Sequence, residues 1–179
     1  KIAASRGADV TLVSGPTNIE PPSNIKKLVK VQSAKDMYNA IIDNFDENQV
    51  IIKSSAVADY KPKNYCNKKI KKSNDDLVIE LDRNKDIAYE IGKIKKDKIL
   101  VGFAAETNDL IENAKRKVEK KNLDFIVAND LTEEGAGFGT DTNIVKIIDK
   151  EGNINKYPQM KKDEVANVIL DKVKSLLKK

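Results

Sequence analysis

Histidine is absent from this chain of 179 residues, and its absence removes whole classes of chemistry. Without imidazole there is no Ser-His-Asp or Cys-His catalysis and no histidine metal site. Acid–base work is left to carboxylates, lysine or tyrosine. Cysteine occurs once, at Cys66, so the chain builds neither an internal disulfide nor a thiolate metal cluster, in keeping with a reducing cytosol. Lacking a histidine partner, Cys66 reads as a surface thiol rather than a nucleophile. No run approaches the roughly 18–20 apolar residues that span a bilayer, and no short apolar segment follows a basic start. A cytoplasmic location with no membrane partner is the expectation. Aromatic residues are few, five Tyr and four Phe, and they do not interleave with the lysines as a base-stacking surface requires. No nucleic-acid partner is expected.

What is present fits a folded domain: 40% hydrophobic and 34% charged residues supply both a core and a solvated surface, and the length suits one domain over 1–179. The net charge of +5 is localised. Six lysines (Lys61, Lys63, Lys68, Lys69, Lys71, Lys72) and no acid lie within 61–72, which leaves 27 basic against 28 acidic residues elsewhere. A second basic run, Lys115-Arg116-Lys117-Val118-Glu119-Lys120-Lys121, falls on a helix pattern. Either run alone reads as a solvated face. Two discrete cationic clusters suit a polyphosphate ligand better than an extended polyanion.

Apolar segments alternate regularly along the chain. Residues 1–6 read as a helix end capped by Gly7. Strands are expected at 8–13, 28–31, 50–52, 99–103 and 125–127, and helices at 33–45, 85–95, 108–121 and 163–177. Ser33 followed by Asp36 has the spacing of a capping box. The lysine segment and Leu77-Val78-Ile79-Glu80-Leu81 are expected to pair as a hairpin around residues 73–76, and 143–148 with 153–157 as another. Strand–helix alternation with short links implies a doubly wound, mainly parallel α/β sheet, Rossmann-like and covered on both faces, with projecting β-hairpins. In such a sheet ligands bind beyond the carboxyl ends of the strands, here the small-residue loops that start at Ser14, Ser54, Ala104 and Ala128.

Several segments in order then carry a resemblance. Ala56-Val57-Ala58-Asp59-Tyr60-Lys61-Pro62, Lys69-Ile70-Lys71-Lys72, Val101-Gly102-Phe103-Ala104-Ala105-Glu106-Thr107, Asp124-Phe125-Ile126-Val127-Ala128-Asn129-Asp130, and Gly137-Phe138 with Asp141 and Asn143 closely resemble the phosphopantothenoylcysteine synthetase family. The likeness runs from Arg6 to the last helix. It implies a ligase that activates 4'-phosphopantothenate with CTP, releasing pyrophosphate, and then joins the acyl-cytidylate to L-cysteine with release of CMP. It further implies Mg²⁺ accompanying CTP, a homodimer, and fusion to or association with phosphopantothenoylcysteine decarboxylase, whose FMN is not expected in this domain.

The resemblance assigns roles residue by residue. Lys69 matches the family's critical lysine and is the catalytic candidate, pairing with the reacting phosphate or stabilising the mixed anhydride. Without the resemblance it reads as a solvated hairpin lysine. Lys117 and Lys121, spaced i,i+4 on one helix face, match nucleotide contacts. Asp59 matches a nucleotide-site aspartate and a ligand for Mg²⁺; by its own sequence context it is equally a loop-capping residue. Lys85, Asp86, Ile87 and Ala88 align with a helix-start nucleotide contact, and because Lys85 stands where proline is usual, backbone contacts alone carry over. Phe103 aligns with a residue beside the base, although a strand-end Phe is commonly core. Glu106 and Asn129 match but read as structural.

The family's first strand, its Gly-Pro-Thr loop and its asparagine-bearing Ser-Ser-Gly segment would precede Lys1. The chain is thus expected to be an N-terminally truncated synthetase domain that fails in the amide-forming half of the reaction. Ser14-Gly15-Pro16-Thr17 follows a later strand and is not that first loop. Two other readings compete. An NAD(P)-dependent Rossmann oxidoreductase lacks its ribose-binding acid, since the strand ends Val13-Ser14-Gly15, and Gly135-Ala136-Gly137-Phe138-Gly139 lies too late for a dinucleotide loop. A non-enzymatic anion- or RNA-binding module built on 61–72 leaves the other motifs unused.

Overall fold

In the computed structural model, residues 1–71, 76–106, 109–130 and 141–177 are described, with Glu106 and Asp130 described in backbone only. The turn expected at 73–76 therefore falls largely outside the described residues. So do the loop 135–139, Thr107 and the Glu106 side chain.

The chain begins with α1 (Ile2–Ser5), closed by Gly7 at φ +86°; the Gly7 N–H donates to the Ala4 carbonyl and the Ala8 N–H to the Ala3 carbonyl. The expected Gly7 cap is present, and its positive φ suits glycine. β1 (Thr11–Ser14) pairs in parallel with β2 (Lys27–Lys30). The capping box at Ser33 opens α2 (Ala34–Asp43): the Asp36 N–H donates to Ser33 Oγ at 3.1 Å and the Ser33 N–H to Asp36 Oδ2 at 3.0 Å.

The main sheet contains β3 (Val50–Lys53), β6 (Ile99–Glu106), β7 (Phe125–Asp130), β9 (Val145–Asp149) and β10 (Ile154–Lys156), in the order β10-β9-β7-β6-β3. The β3–β6 and β6–β7 pairings are parallel; the β7–β9 and β9–β10 pairings are antiparallel. The expected second hairpin is thus present, its turn made by Gly152 at φ +86° and by the Asn153 N–H bonded to Asp149 Oδ1. Two-residue strands β8 (Thr142–Asn143) and β11 (Met160–Lys161), which the sequence reading did not separate out, pair antiparallel beside it.

Helices cover both faces. α3 (Ile87–Ile94) and α4 (Leu110–Lys120), with α2, contribute Met37, Ile87, Ile91, Leu110, Ala114 and Val118 to one cluster, which also takes Leu100, Ile126 and Ile148 from the sheet. On the other face α5 (Lys162–Leu177) places Val165, Ile169 and Val173 against Val101, Phe125, Val127 and Ile147. Period-2 alternation in the strands separates the clusters, Ile126 on one face and Phe125 on the other.

Two expectations change. One sheet was expected, but β1 and β2 form a sheet of their own: β1 and β3 face each other across a groove of about 180 Å³ that also takes in Met37, Ile41 and Phe45. Paired strands lie about 4.8 Å apart, and among the described residues β1 and β3 share no ladder hydrogen bonds. The first hairpin also pairs elsewhere. β4 (Tyr60–Pro62) joins β5 (Leu81–Arg83) in the register Tyr60 to Arg83, while Leu77, Val78 and Ile79 stay exposed and outside any strand. Among the described residues nothing buries that run, so its β propensity has no sheet to act in.

A buried ion pair ties the helical layer to the strands. Lys95 and Asp124, both nearly inaccessible, meet at 2.7 Å, and the same Asp124 Oδ2 accepts the Leu100 N–H at 2.8 Å. Substituting Asp124→Ala leaves the Lys95 ammonium buried without its carboxylate. Urea denaturation is expected to show a loss of about 3–5 kcal/mol; a loss under about 1 kcal/mol would mean the pair does not fasten these elements.

Candidate functional site

The loop leaving β3 has small side chains through residues 54–58, and its far end is fastened to the start of α3. The Asn84 N–H donates to the Asp59 carbonyl at 2.8 Å and Asn84 Nδ2 to the Ala58 carbonyl at 2.9 Å. β4 and β5 continue this attachment. Asp59 is thereby held near Lys85 and Asp86, with its side chain exposed.

Asp86 is the N-cap of α3, its Oδ1 accepting the Tyr89 N–H at 3.2 Å. Ile87 and Ala88 are buried in the core, so only their backbones can face a ligand. Free N–H groups in a helix's first turn favour anions. Lys85 is exposed, its ammonium 4.5 Å from the centroid of the Tyr38 ring on α2.

α4 ends against α3. The Asn122 N–H bonds to the Glu119 carbonyl and the Leu123 N–H to the Val118 carbonyl, with Asn122 at φ +50°, a Schellman closure with asparagine in place of glycine. Asn122 Nδ2 then donates to the Gly92 carbonyl at 2.8 Å. The Lys121 carbonyl lies so near Gly92 that a Cβ there would stand 2.0 Å from its oxygen. From this anchored position Lys121 extends its ammonium to Asp86 Oδ2 at 2.9 Å. Lys117 lies one turn earlier on the same face, its carbonyl accepting the Lys121 N–H.

Lys53, the last residue of β3, joins the group. Its half-buried ammonium donates to the Ser55 carbonyl at 2.8 Å. Burial pushes its pKa down and the charge of Lys121 adds to this, partly opposed by Asp86 and Asp59. For Asp86, burial pushes the carboxyl up, but the Lys121 hydrogen bond, the Tyr89 N–H and the charges of Lys121 and Lys53 outweigh it and hold the group below its ordinary value.

Of the residues named from the sequence, the structure gathers Asp86, Ile87, Ala88 and Lys121 at one place, with Asp59, Lys85 and Lys117 around it. Lys69 is exposed on the segment between β4 and β5 and has no ion-pair partner among the described residues. Phe103 packs with the cluster under α5, on the sheet face opposite α3 and α4. Asn129, near the end of β7, carries a buried Oδ1 with no hydrogen-bond partner among the described residues. Sequence reasoning missed Lys53, Asn84 and Gly92. For Lys53 the available signal was a lysine closing the apolar run Val50-Ile51-Ile52 where a ligand-facing loop begins.

Residues 1–177 match the family described as the DNA/pantothenate metabolism flavoprotein C-terminal domain. The chain belongs to this family. It is 45% identical over 176 residues, 98% of its length, to the coenzyme A biosynthesis bifunctional protein CoaBC of Bacillus subtilis, and 43% identical over 171 residues to that of Borreliella burgdorferi; these alignments cover 43% and 42% of the two relatives. The chain thus spans less than half the length of the curated relatives it matches. Among solved structures, the C-terminal domain of a CoaBC protein superposes with a TM-score of 0.82 at 39% identity, covering 99% of this chain and 79% of that one. A flavoprotein of the same description from Streptococcus pneumoniae, at 22% identity and TM-score 0.78, shares the fold. No helix among the described residues is long and apolar enough to cross a membrane.

Asp86→Asn keeps an N-cap acceptor while removing the charge that pairs with Lys121. Because the folded carboxyl sits below its ordinary value, its contribution is complete above the unfolded-state pKa and lost as pH falls through the folded one. The wild type is therefore expected to unfold at a higher temperature than the variant at neutral pH, with the two converging in acid; a constant difference would contradict the pairing. Gly92→Ala, which forces α3 and α4 apart, is expected to cost about 1–3 kcal/mol in chemical denaturation.

Proposed function

We propose that this domain is the phosphopantothenate–cysteine ligase unit of coenzyme A biosynthesis, using CTP. The observation that carries the reading is the Asp86–Lys121 pair set at the first turn of α3, with Lys53 and Lys117 near it, in a chain of this family. Cationic side chains and free helix N–H groups converge there, as a triphosphate requires. CoaBC proteins are described as bifunctional in coenzyme A biosynthesis, which supports placing both the activity and a phosphopantothenoylcysteine decarboxylase partner with this chain.

In the first step a carboxylate oxygen of 4'-phosphopantothenate attacks the α-phosphorus of CTP, forming the acyl-cytidylate and expelling pyrophosphate. In the second, the amine of L-cysteine attacks the acyl carbon, CMP leaves and the amine loses a proton. Neither step needs imidazole; cations that bring the carboxylate and phosphates together and neutralise them supply most of the acceleration. Lys121, Lys117 and the backbone of residues 85–88 hold the nucleotide. Lys69, on its exposed segment, moves in to meet the reacting phosphate. Mg²⁺ fits Asp59, an exposed carboxylate beside the phosphate-holding turn, since Mg²⁺ takes one or two carboxylates together with phosphate oxygens and water. The domain acts in the cytoplasm as a homodimer, with the open edge of β10 in need of protection.

Calorimetry with CTP and Mg²⁺ is expected to show binding that weakens in both Lys117→Ala and Lys121→Ala; equal affinity in all three proteins would remove these lysines from the site. In the catalytically active enzyme, Lys69→Gln should unfold at the wild-type temperature yet form CMP more slowly, because an exposed lysine adds little to the core. An undiminished rate would end its catalytic assignment.

A further inference from the structure

We propose that Asn84 is a positioning residue for the ligase reaction: its side-chain amide fixes the base of the chain that carries Lys69, so that this lysine is presented to the first turn of α3. The proposal rests on the catalytic reading of Lys69 given above and adds a residue to which the family likeness assigns no role.

Lys69 lies on chain that leaves the body of the domain at Asp59 and returns at Asn84. At its base β4 and β5 pair in a two-stranded sheet separate from the main one. All six residues of these strands are exposed, and an isolated two-stranded ribbon is marginal in water. Several contacts run within the ribbon: the Arg83 guanidinium lies 5.7 Å from the Tyr60 ring centroid, Lys63 pairs with Glu80 at 3.5 Å, and the Lys63 N–H donates to the Glu80 carbonyl. None of these reaches the body.

Asn84 makes that connection. Its backbone N–H closes the ladder on the Asp59 carbonyl at 2.8 Å, and its Nδ2 passes beyond the ladder to the Ala58 carbonyl at 2.9 Å. Ala58 belongs to the loop from β3, and its neighbour Val57 packs against the apolar cluster that includes Ile87 and Ile91 of α3. The two residues after Asn84 are tied to other elements. Lys85 stands 4.5 Å from the Tyr38 ring of α2, while Asp86 caps α3 and pairs with Lys121 at 2.9 Å. Both feet of the Lys69-bearing chain are therefore set into fixed backbone.

Closing the ladder requires only the backbone N–H of residue 84, which any residue but proline supplies. The Nδ2 bond is additional, and it holds strands that have no buried residue, so it adds little to the core. What it fixes is direction. One residue grips two consecutive carbonyls, and a grip at two points removes the rotation that a single hydrogen bond leaves free. Lys69 is ten residues from Asp59 and fifteen from Asn84, so a change of angle at the base is magnified at the lysine. Catalysis by positioning is sensitive to shifts on the order of 1 Å. Nucleotide binding by Lys117, Lys121 and the first turn of α3 does not pass through this chain.

The test uses the catalytically active enzyme as wild type, Asn84→Ala, Lys69→Gln and the double variant, with CMP formation, CTP calorimetry and hydrogen exchange read on each. Asn84→Ala is expected to form CMP about tenfold more slowly while binding CTP within about threefold of wild type. The Lys63 amide should exchange faster in Asn84→Ala, with the amides of α3 at the wild-type rate. Because Asn84 acts through Lys69, the double variant should be no slower than Lys69→Gln. Equal CMP formation in wild type and Asn84→Ala overturns the proposal, as does a double variant in which the two losses multiply, a loss carried entirely by weaker CTP binding, or unchanged exchange at Lys63. An Asn84→Ala protein that fails to fold also overturns it, by showing that the asparagine is a structural strut. If Lys69→Gln itself forms CMP at the wild-type rate, the catalytic reading of Lys69 falls first and this inference falls with it.

Discussion

The contact on which the site depends is between two backbones. Where the Lys121 carbonyl rests on Gly92, no side chain larger than hydrogen fits, since a Cβ would lie 2.0 Å from the oxygen. Asn122 locks the approach by adopting a positive φ and returning its amide to the Gly92 carbonyl. Asp86 is six residues before Gly92, about 9 Å up the helix axis, a span that the Lys121 stem and the Asp86 side chain cover together. The distance between two helix axes thus determines whether an ammonium and a carboxylate meet. Widening that contact would separate the charges without altering either one.

The lower half of the same two helices is fastened differently. Lys95, the C-cap of α3, enters the buried pair with Asp124, and Asp124 in turn holds β6 through the Leu100 N–H. α3 is therefore held near one end by an ion pair out of water and along its side by a glycine contact. Its N-terminal turn projects from a rigid support, which suits a turn whose N–H groups must stay aimed at one position.

Most of the architecture could be read from periodicity because each expected element buries one face. The strand pattern at 99–103 and the helix pattern at 108–121 match β6 and α4 to within a few residues, and the Ser33–Asp36 and Gly7 caps stand where local chemistry put them. The lysine-rich segment misled because Leu77-Val78-Ile79 has the composition of a strand and, among the described residues, no partner to bury it; β pairing is a tertiary event that composition does not encode. The site divides along the same line. Asp59, Lys117 and Lys121 lie in short motifs that a resemblance can carry. Asn84 and Gly92 matter through what they touch across 20 or more positions, and neither belongs to a motif that announces its contact.

A carboxylate amid lysines looks out of place in the anion site proposed above, yet Asp86 has a structural role in the cluster. A lysine held partly out of water is costly to keep there without a counter-charge. Asp86 pairs with Lys121 and holds it in place while serving the helix as its cap. In the proposed function, an anion arriving there competes with Asp86 for Lys121. Its affinity is then the difference between two ion-pair arrangements rather than the strength of one. On that reading a ligand with a single charge gains little over the carboxylate already present, whereas one with several phosphate oxygens can replace Asp86 at Lys121 and also engage the N–H groups of the first turn of α3.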